Sequence, residues 1–269
     1  MRNNWGSMKV FIKQTCLLFT LLFISTGCTT TKVLVVKPEL LHFDTPETTG
    51  SFLAGDINVH VAAKTPKYEF GKSSVTDFDA SRSVSTSEKV SDNSYFNLGL
   101  NLGLIKRIDF FMRTRGVAGL KIQVLGTSKA NREDGWKMAI SSYYGNYAYV
   151  QSDNELLIFG SSSDLDLALT GKTIGYTINT GYRFNPKLLV YTNIFYNKTD
   201  VTGTYNFNPS TSFRKERIQK ARGILFGLNI LNDNKSSFFT LEAGLTRSSW
   251  SSLGTEIYTP IGASIGYFW

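Results

Sequence analysis

The side chains best suited to chemistry in this chain are two histidines, His42 and His60, and two cysteines, Cys16 and Cys28. If residues near His60 form a strand, His60 shares one face with Asp56, as a general base would with an orienting carboxylate. That spacing separates the two side chains by about 13 Å, too far for a direct hydrogen bond. We therefore interpret His60 as a polar interior residue and predict no catalytic residues and no enzyme activity.

Two short segments are similar to the end of a phosphate-binding loop: Gly71-Lys72-Ser73 and Gly171-Lys172-Thr173. Pro66 and Asp166 stand where such a loop requires its first glycine. Neither segment precedes a helical pattern. The sequence therefore predicts no phosphate-binding loop.

The N-terminal segment has the plan of a secretory signal peptide. Basic residues lie within 8–13, a mainly apolar run covers 16–24, and small residues occupy 25–27. The apolar run is about ten residues long, too short to cross a hydrocarbon core about 30 Å thick. We predict that residues 1–27 are removed on export. Loss of the basic residues in this segment lowers the formal net charge of +8, which makes nucleic acid an unfavourable partner.

Gly27-Cys28 resembles the lipobox of bacterial lipoproteins, in which the cysteine becomes the lipidated N-terminus. Ser25 stands where such boxes usually carry leucine, so ordinary signal peptidase cleavage stays open as an alternative. The resemblance implies lipidation at Cys28 and a periplasmic tail over 28–49 that tethers the chain to the periplasmic leaflet. With Cys16 removed and Cys28 acylated, no cysteine pair is left. No disulfide, metal site or cofactor is then expected.

From residue 50 onward the sequence alternates as β-strands do. The chain has 42% hydrophobic and 19% charged residues, with 23 Gly, 19 Phe and 13 Tyr, and no long segment with helical periodicity. The alternation predicts ten strands, near residues 50–62, 94–105, 107–115, 118–126, 136–149, 166–184, 188–200, 220–231, 237–249 and 259–269. The leucines at 165, 167 and 169 have the opposite parity to Ile174 and its successors. We therefore predict a β-bulge near Gly171-Lys172.

Connections between the predicted strands differ at the two ends. Turns near 106–107, 127–135, 185–187 and 232–235 are mostly short. Most connections at the other end, near 63–93, 150–165, 201–219 and 250–258, are longer, and a tight Gly116-Val117 turn is the exception there. Aromatic residues cluster near strand ends and would form two girdles: Tyr143, Tyr144, Tyr147, Tyr149, Tyr182, Phe184, Tyr196, Trp250, Tyr258, Tyr267 and Trp269. Short turns at one end and long loops at the other are typical of transmembrane β-barrels.

With its alternating C-terminal strand and terminal aromatic residue, the chain resembles bacterial outer-membrane β-barrel proteins. The resemblance covers residues 50–269 and implies an all-β fold, a closed antiparallel transmembrane barrel of about ten strands with short periplasmic turns and longer extracellular loops. It also implies the outer membrane of a Gram-negative bacterium as location. Outer-membrane lipids and the barrel-assembly machinery would be partners, the latter through Ile265, Tyr267 and Trp269. No extracellular partner can be named.

A ten-strand barrel leaves little open lumen. The polar face of the predicted strands carries mixed charges that can pair across the interior. These residues are Asp56, Asn58, His60, Asn97, Asn101, Asp109, Arg113, Lys121, Gln123, Lys137, Arg183, Asn229, Thr240 and Glu242. We expect the charged members and His60 to form a lumen network, made of Asp56, His60, Asp109, Arg113, Lys121, Arg183 and Glu242.

Two functional classes follow from these patterns. The first is a non-enzymatic outer-membrane barrel (lipo)protein with a largely filled polar lumen, which serves envelope structure or surface interaction. The second carries a ligand, either as a narrow solute or lipid transporter or as a soluble lipocalin-like lipoprotein. Alternation alone does not distinguish inside from outside, so the face that turns outward discriminates between a membrane barrel and a soluble one.

Overall fold

The computed structural model describes residues 29–38, 40–76, 81–85, 88–114, 116–146, 148–152, 167–208, 211–232 and 236–269. These residues form antiparallel strands and connecting segments. The strands are β1 (Thr29–Val36), β2 (Gly55–Thr76), β3 (Ser81–Ser85), β4 (Lys89–Ile105), β5 (Ile108–Arg113), β6 (Val117–Leu125), β7 (Gly135–Gly145), β8 (Ala148–Ser152), β9 (Leu167–Asn185), β10 (Leu188–Asn208), β11 (Thr211–Leu231), β12 (Ser237–Trp250), β13 (Gly254–Tyr258) and β14 (Ile261–Phe268). No helix in the described ranges is long and apolar enough to span a membrane.

Ten of these strands close into a barrel, which confirms the predicted fold. Each pairs with its neighbour in the circular order β2, β4, β5, β6, β7, β9, β10, β11, β12, β14. The last strand completes the circle by pairing with the first, from Ile261 opposite Ala63 to Phe268 opposite Asp56. Closure leaves no unpaired edge along the wall of the barrel.

The two faces of the wall differ in polarity. Ile174, Tyr176 and Ile178 of β9 point outward and are 41%, 50% and 44% exposed, while Thr173, Thr177 and Asn179 point inward and are buried. The other strands alternate in the same way. We call the outward apolar side chains the apolar band. It includes every second residue from Ile57 to Val61, Ile174 to Phe184 except Thr180, Ile224 to Ile230 and Phe239 to Leu245.

The two ends of the barrel also differ. At one end, the turn end, short connections follow β4, β9 and β11, and Trp269 pairs with Gly55. At the other end, the mouth, β10 continues to Asn208 and pairs with β11 as far as Thr211. The segments near 63–93 and 201–219 were expected to be loops, but most of their described residues extend the strands. Polar outward residues there gave a weaker alternation signal than the apolar band.

The segment before the barrel runs through its interior, where a periplasmic tail was expected. β1 pairs with Tyr68–Thr76 of β2 and with β8, so it lies at the mouth. Residues 40–49 are then buried, and the chain enters β2 at the turn end. We call residues 37, 38 and 40–49 the inner segment. It has no regular alternation, so the strand pattern gave no sign that it would be enclosed.

Two finer expectations were wrong: the β-bulge near Gly171-Lys172 and the outward position of every proposed girdle residue. The register of β9 against β10 is continuous through Gly171 and Lys172, so no bulge lies there. Leu169 keeps the inward parity and packs in an apolar cluster at the mouth with Val36, Tyr68 and Trp250. Trp250 also shows that a strand-end aromatic residue need not face outward. Other inward aromatic residues among the proposed girdles are Tyr143 and Tyr258.

Candidate functional site

The lumen is occupied by the inner segment, which touches strands from opposite sides of the wall. Its first polar anchor is Glu242 of β12. The Glu242 carboxylate accepts hydrogen bonds from the backbone N–H groups of His42 (2.8 Å) and Phe43 (2.9 Å). Its other oxygen accepts a bond of 2.7 Å from the Asn193 side chain on β10. One buried carboxylate thus satisfies two backbone donors that would otherwise be unpaired in the barrel.

Asp44 forms the second anchor. Its carboxylate is 3.0 Å from Lys121 Nζ and accepts a hydrogen bond of 2.7 Å from Ser141 Oγ. Asn179 donates a 2.7 Å hydrogen bond to the Asp44 carbonyl. These three partners lie on β6, β7 and β9. Lys121 is also 3.9 Å from Asp109, so one buried lysine lies between two carboxylates.

Glu47 and Arg183 form the third anchor, a two-pronged ion pair. Arg183 Nε donates to Glu47 Oε1 at 2.7 Å, and Nη2 donates to Oε2 at 2.5 Å. Both side chains are buried. A planar guanidinium matches a carboxylate in this geometry, which makes such pairs strong and direction-specific.

Two threonines fix the end of the inner segment. Thr49 donates to both oxygens of Asp109, from its backbone N–H (2.9 Å) and its hydroxyl (2.8 Å). The backbone N–H of Thr48 donates to Gln123 Oε1 at 3.0 Å. Arg113 donates to the His42 carbonyl at 2.6 Å. The inner segment is thus bonded to β5, β6, β7, β9 and β12 over its length.

The strand spacing argued against a direct hydrogen bond between His60 and Asp56, and in the structure Asn58 lies between them. His60 Nδ1 is 3.3 Å from the Asn58 amide oxygen, and Asp56 accepts a hydrogen bond of 3.3 Å from the Asn58 amide nitrogen. Asp56 instead pairs with Lys129 at 2.5 Å and accepts a hydrogen bond of 2.6 Å from Asn101. Lys129 lies in the β6–β7 connection, and nothing in the sequence pattern indicated that it reaches the lumen.

Apolar side chains close the barrel above the polar anchors. Leu40, Leu41 and Phe43 pack with Ala62, Tyr95, Phe195, Ala221, Leu225 and Tyr258. Above them, the mouth cluster contains the stacked rings of Tyr68 and Trp250, whose centroids are 3.9 Å apart. The interior of the described chain is therefore layered, with ion pairs toward the turn end and apolar packing toward the mouth.

A charged cluster lies at the mouth itself, outside the apolar band. The Glu88 carboxylate accepts hydrogen bonds from Tyr68, Ser252 and Arg217, and it forms an ion pair with Lys215. Burial raises the pKa of Glu88, but these hydrogen bonds outweigh burial and lower it to about 2. This carboxylate therefore joins β2, β11 and the β12–β13 connection.

The described residues of the sequence-derived site occupy two places, the lumen and the outward face. Asp56, His60, Asp109, Lys121, Arg183 and Glu242 are buried in the lumen, and Arg113 is partly buried there. Ile265, Tyr267 and Trp269 point outward and are 65%, 50% and 48% exposed. Cys28 lies outside the described residues. The described part of the chain holds no group of three or more His, Cys, Asp and Glu side chains that could bind a metal ion.

Sequence reasoning missed the residues of the inner segment that bind the wall, above all Asp44 and Glu47. The predicted inward face carries more cations than carboxylates, and Lys121 and Arg183 are among those cations. This excess predicts acidic partners from elsewhere in the chain. The nearest acidic residues were sought on the strands, because residues 28–49 were assigned to a tail.

The barrel is similar to solved bacterial outer-membrane proteins. The attachment invasion locus protein Ail of Yersinia pestis has 13% identity and a TM-score of 0.32, over 81% of this chain and 99% of that one. The N-terminal barrel domain of Pseudomonas aeruginosa OprF has 11% identity and a TM-score of 0.28, over 81% and 98%. The outer membrane protease OmpT of Escherichia coli has 9% identity and a TM-score of 0.30, over 91% and 98%.

These TM-scores are low, so the likenesses carry no inference about what the chain does. No protein-family model matches the chain. No curated protein matches it either. Its function must be argued from its own geometry.

Proposed function

We propose that the chain is a non-enzymatic outer-membrane β-barrel, closed by its own inner segment, that serves envelope structure or surface interaction. The observation that carries the proposal is the occupied lumen. Residues 40–49 fill it, and Glu242, Lys121 and Arg183 hold them from different sides of the wall. An interior filled in this way favours a structural or surface role over solute passage.

The outward face supports a membrane location. A lipid core requires a closed ring of strands and an apolar exterior. This barrel has both, since its apolar band faces outward and the charged side chains at the level of that band face inward. A soluble lipocalin-like carrier would have the opposite polarity, with an apolar interior and a polar exterior.

The extended strands at the mouth support a role in surface interaction. β10 continues for about twelve residues beyond Tyr196, the last apolar-band residue on that strand, which corresponds to about 40 Å of strand. By the usual orientation of such barrels, with short turns in the periplasm, this extension would face the outside of the cell.

The N-terminal expectations, cleavage after residue 27 and lipidation of Cys28, stay proposals. Thr29 pairs with Thr76 at the mouth, so the described chain enters the lumen from that end. Metabolic labelling with a fatty-acid analogue, compared between wild type and Cys28→Ser, tests the modification. An epitope tag inserted before Thr29 should be detected on intact cells if the inner segment threads the lumen.

Ion conductance tests the proposed closed state. In planar bilayers, the wild-type protein should carry no steady current, because the inner segment blocks the lumen. Deletion of residues 29–49 should produce one. Deletion of 29–36 alone is the matched control and should stay closed, since it keeps the inner segment.

Each protein should first be folded into vesicles and checked by gel mobility with and without heating. A closed barrel runs faster before heating, so this step separates misfolding from a change in conductance. A wild type that conducts as strongly as the 29–49 deletion would overturn the proposed plug.

A further inference from the structure

Two arginines lie side by side on the outward face of the wall. Arg222 of β11 and Arg247 of β12 are direct cross-strand partners, and both are exposed. Like charges placed opposite each other on a sheet repel and destabilise the pairing. Within the described part of the chain, no carboxylate pairs with either guanidinium. The wall therefore tolerates a local repulsion that an external anion would relieve.

These arginines belong to a row of cations at the upper border of the apolar band. On four adjacent strands, the outward residue that follows the band toward the mouth is basic. The row consists of Lys172, Lys198, Lys220, Arg222 and Arg247. Its one neighbouring carboxylate among the described residues, Asp200, is 3.0 Å from Lys198 and is the cross-strand partner of Lys172. Tyr196 is the direct partner of Arg222, so an aromatic residue lies at the same level. This level is where a membrane barrel meets lipid headgroups.

The other half of the barrel has no such row. The residues at the corresponding border of β4, β5, β6 and β7 are uncharged: Ser94, Thr114, Ala118 and Asn146. On β2 the uncharged Ala63 holds this position, and a single exposed cation, Lys64, follows it at an irregularity in the pairing with β4. A general attraction to anionic membranes would not need this asymmetry. The concentration of charge on β9–β12 therefore indicates a localised binding surface.

A groove lies directly below the two arginines. It has a volume of about 550 Å³ and is open to the outside. Its apolar lining comes mainly from Ile194, Ile224, Phe226, Leu245 and Ile257, and Arg222 and Arg247 form its polar rim. The surface thus offers guanidinium groups at headgroup level and an apolar trough at acyl-chain level.

We infer that this surface, the Arg222/Arg247 groove, binds a lipid of the outer leaflet that carries more than one phosphate and several acyl chains. Guanidinium groups bind phosphate through paired, charge-assisted hydrogen bonds, and two of them with Lys220 nearby match a multiply charged headgroup. Basic pockets on membrane proteins recognise lipid headgroups in the same way. The inference rests on the proposed function, because the groove faces lipid only if the barrel spans the membrane.

Lipid retention by the full-length folded protein tests the inference. Native mass spectrometry in detergent would compare bis-phosphorylated lipid A with the same lipid after removal of its phosphates. The wild type should retain the phosphorylated form, and Arg222→Gln/Arg247→Gln should weaken that retention by about tenfold or more. The matched control is Lys106→Gln/Arg107→Gln, which removes the same charge from exposed positions at the turn end and should bind as wild type does.

Three results would overturn the inference. They are equal retention by the Arg222/Arg247 variant, equal retention of the dephosphorylated lipid, and a preference for phosphatidylglycerol, which has a single phosphate. Gel mobility before and after heating separates this inference from the proposed function. A wild type without the heat-dependent shift would contradict the membrane barrel itself, and the groove with it, whereas a normal shift with no discrimination among lipids would contradict the groove alone.

Discussion

At the scale of single residues, the pair Glu47–Arg183 is the sharpest test of how the inner segment is held. Both side chains are buried, so loss of one partner leaves an uncompensated charge inside the barrel. We expect Glu47→Met and Arg183→Met each to lower the free energy of unfolding by about 3–5 kcal/mol. The double variant should cost clearly less than the two single variants together, because it leaves no unpaired charge.

Urea unfolding in lipid vesicles, followed by tryptophan fluorescence, measures this cycle. Arg214 and Glu216 provide the control pair, since they are 2.6 Å apart but 68% and 65% exposed. Methionine at either control position should change stability by less than about 1 kcal/mol, as is usual for exposed ion pairs. Additive effects at Glu47 and Arg183 would show that the two residues do not act as a pair.

The sequence predicted the strand residues in these contacts far better than their partners in the irregular segments. Alternation fixes which face of a strand a residue occupies, so Lys121, Arg183 and Glu242 were predicted to share the polar face. It does not predict partners from irregular segments. Asp44, Glu47 and Lys129 come from such segments, and their roles depend on the path of the chain through the lumen.

At the scale of elements, the Glu88 carboxylate holds the strands of the mouth together. It contacts residues of β2, β11 and the β12–β13 connection. Its pKa falls from 4.5 to about 2 on folding. A lowered pKa means that the carboxylate stabilises the mouth above pH 4.5, and that this contribution is lost as the pH falls toward 2. We therefore expect the mouth to loosen in that window while neutral conditions leave it intact.

Trp250 reports on this change, because its indole stacks on Tyr68 and Tyr68 donates to Glu88. Fluorescence of the folded protein should change between pH 4.5 and 2, and Glu88→Gln should remove that step. Glu69→Gln is the matched control, since Glu69 follows Tyr68 on β2 and its ion pair is with Lys67 on the same strand. A step of unchanged size in the Glu88 variant would assign the transition to another group.

Strand number and closure were predictable at this scale because each membrane-length strand repeats the same apolar period. The strand extensions were not, since their outward residues are polar and lose the contrast between faces. Leu169 shows the same limit of the alternation pattern. It is an apolar residue on the inward face, and it fits there because the mouth encloses an apolar cluster. That cluster is made by residues distant in sequence, so alternation within one strand cannot predict it.

At the scale of the whole molecule, the barrel turns the usual arrangement of a soluble protein inside out. Its buried residues include many charged and polar groups, and its exposed surface carries a continuous apolar band. In water this surface would favour association between molecules. In a bilayer it is the stable arrangement, because the strands pair around a closed ring and the inward charges are hydrogen-bonded or ion-paired inside it.

Two isoleucines on the outward face lie at different heights along the barrel and test where the membrane lies. Ile178 lies at the centre of the band, between Ile140 and Ile194, and is 44% exposed, whereas Ile218 lies beyond the row of cations and is 41% exposed. In lipid vesicles, Ile178→Arg should lower the free energy of unfolding by about 2–4 kcal/mol, and Ile218→Arg by less than about 1 kcal/mol. The two sites have the same residue type and nearly equal exposure, so water alone would give nearly equal effects. A larger loss of stability at Ile178 in vesicles therefore places the membrane at the apolar band. Equal losses at the two sites would contradict a barrel that spans the bilayer.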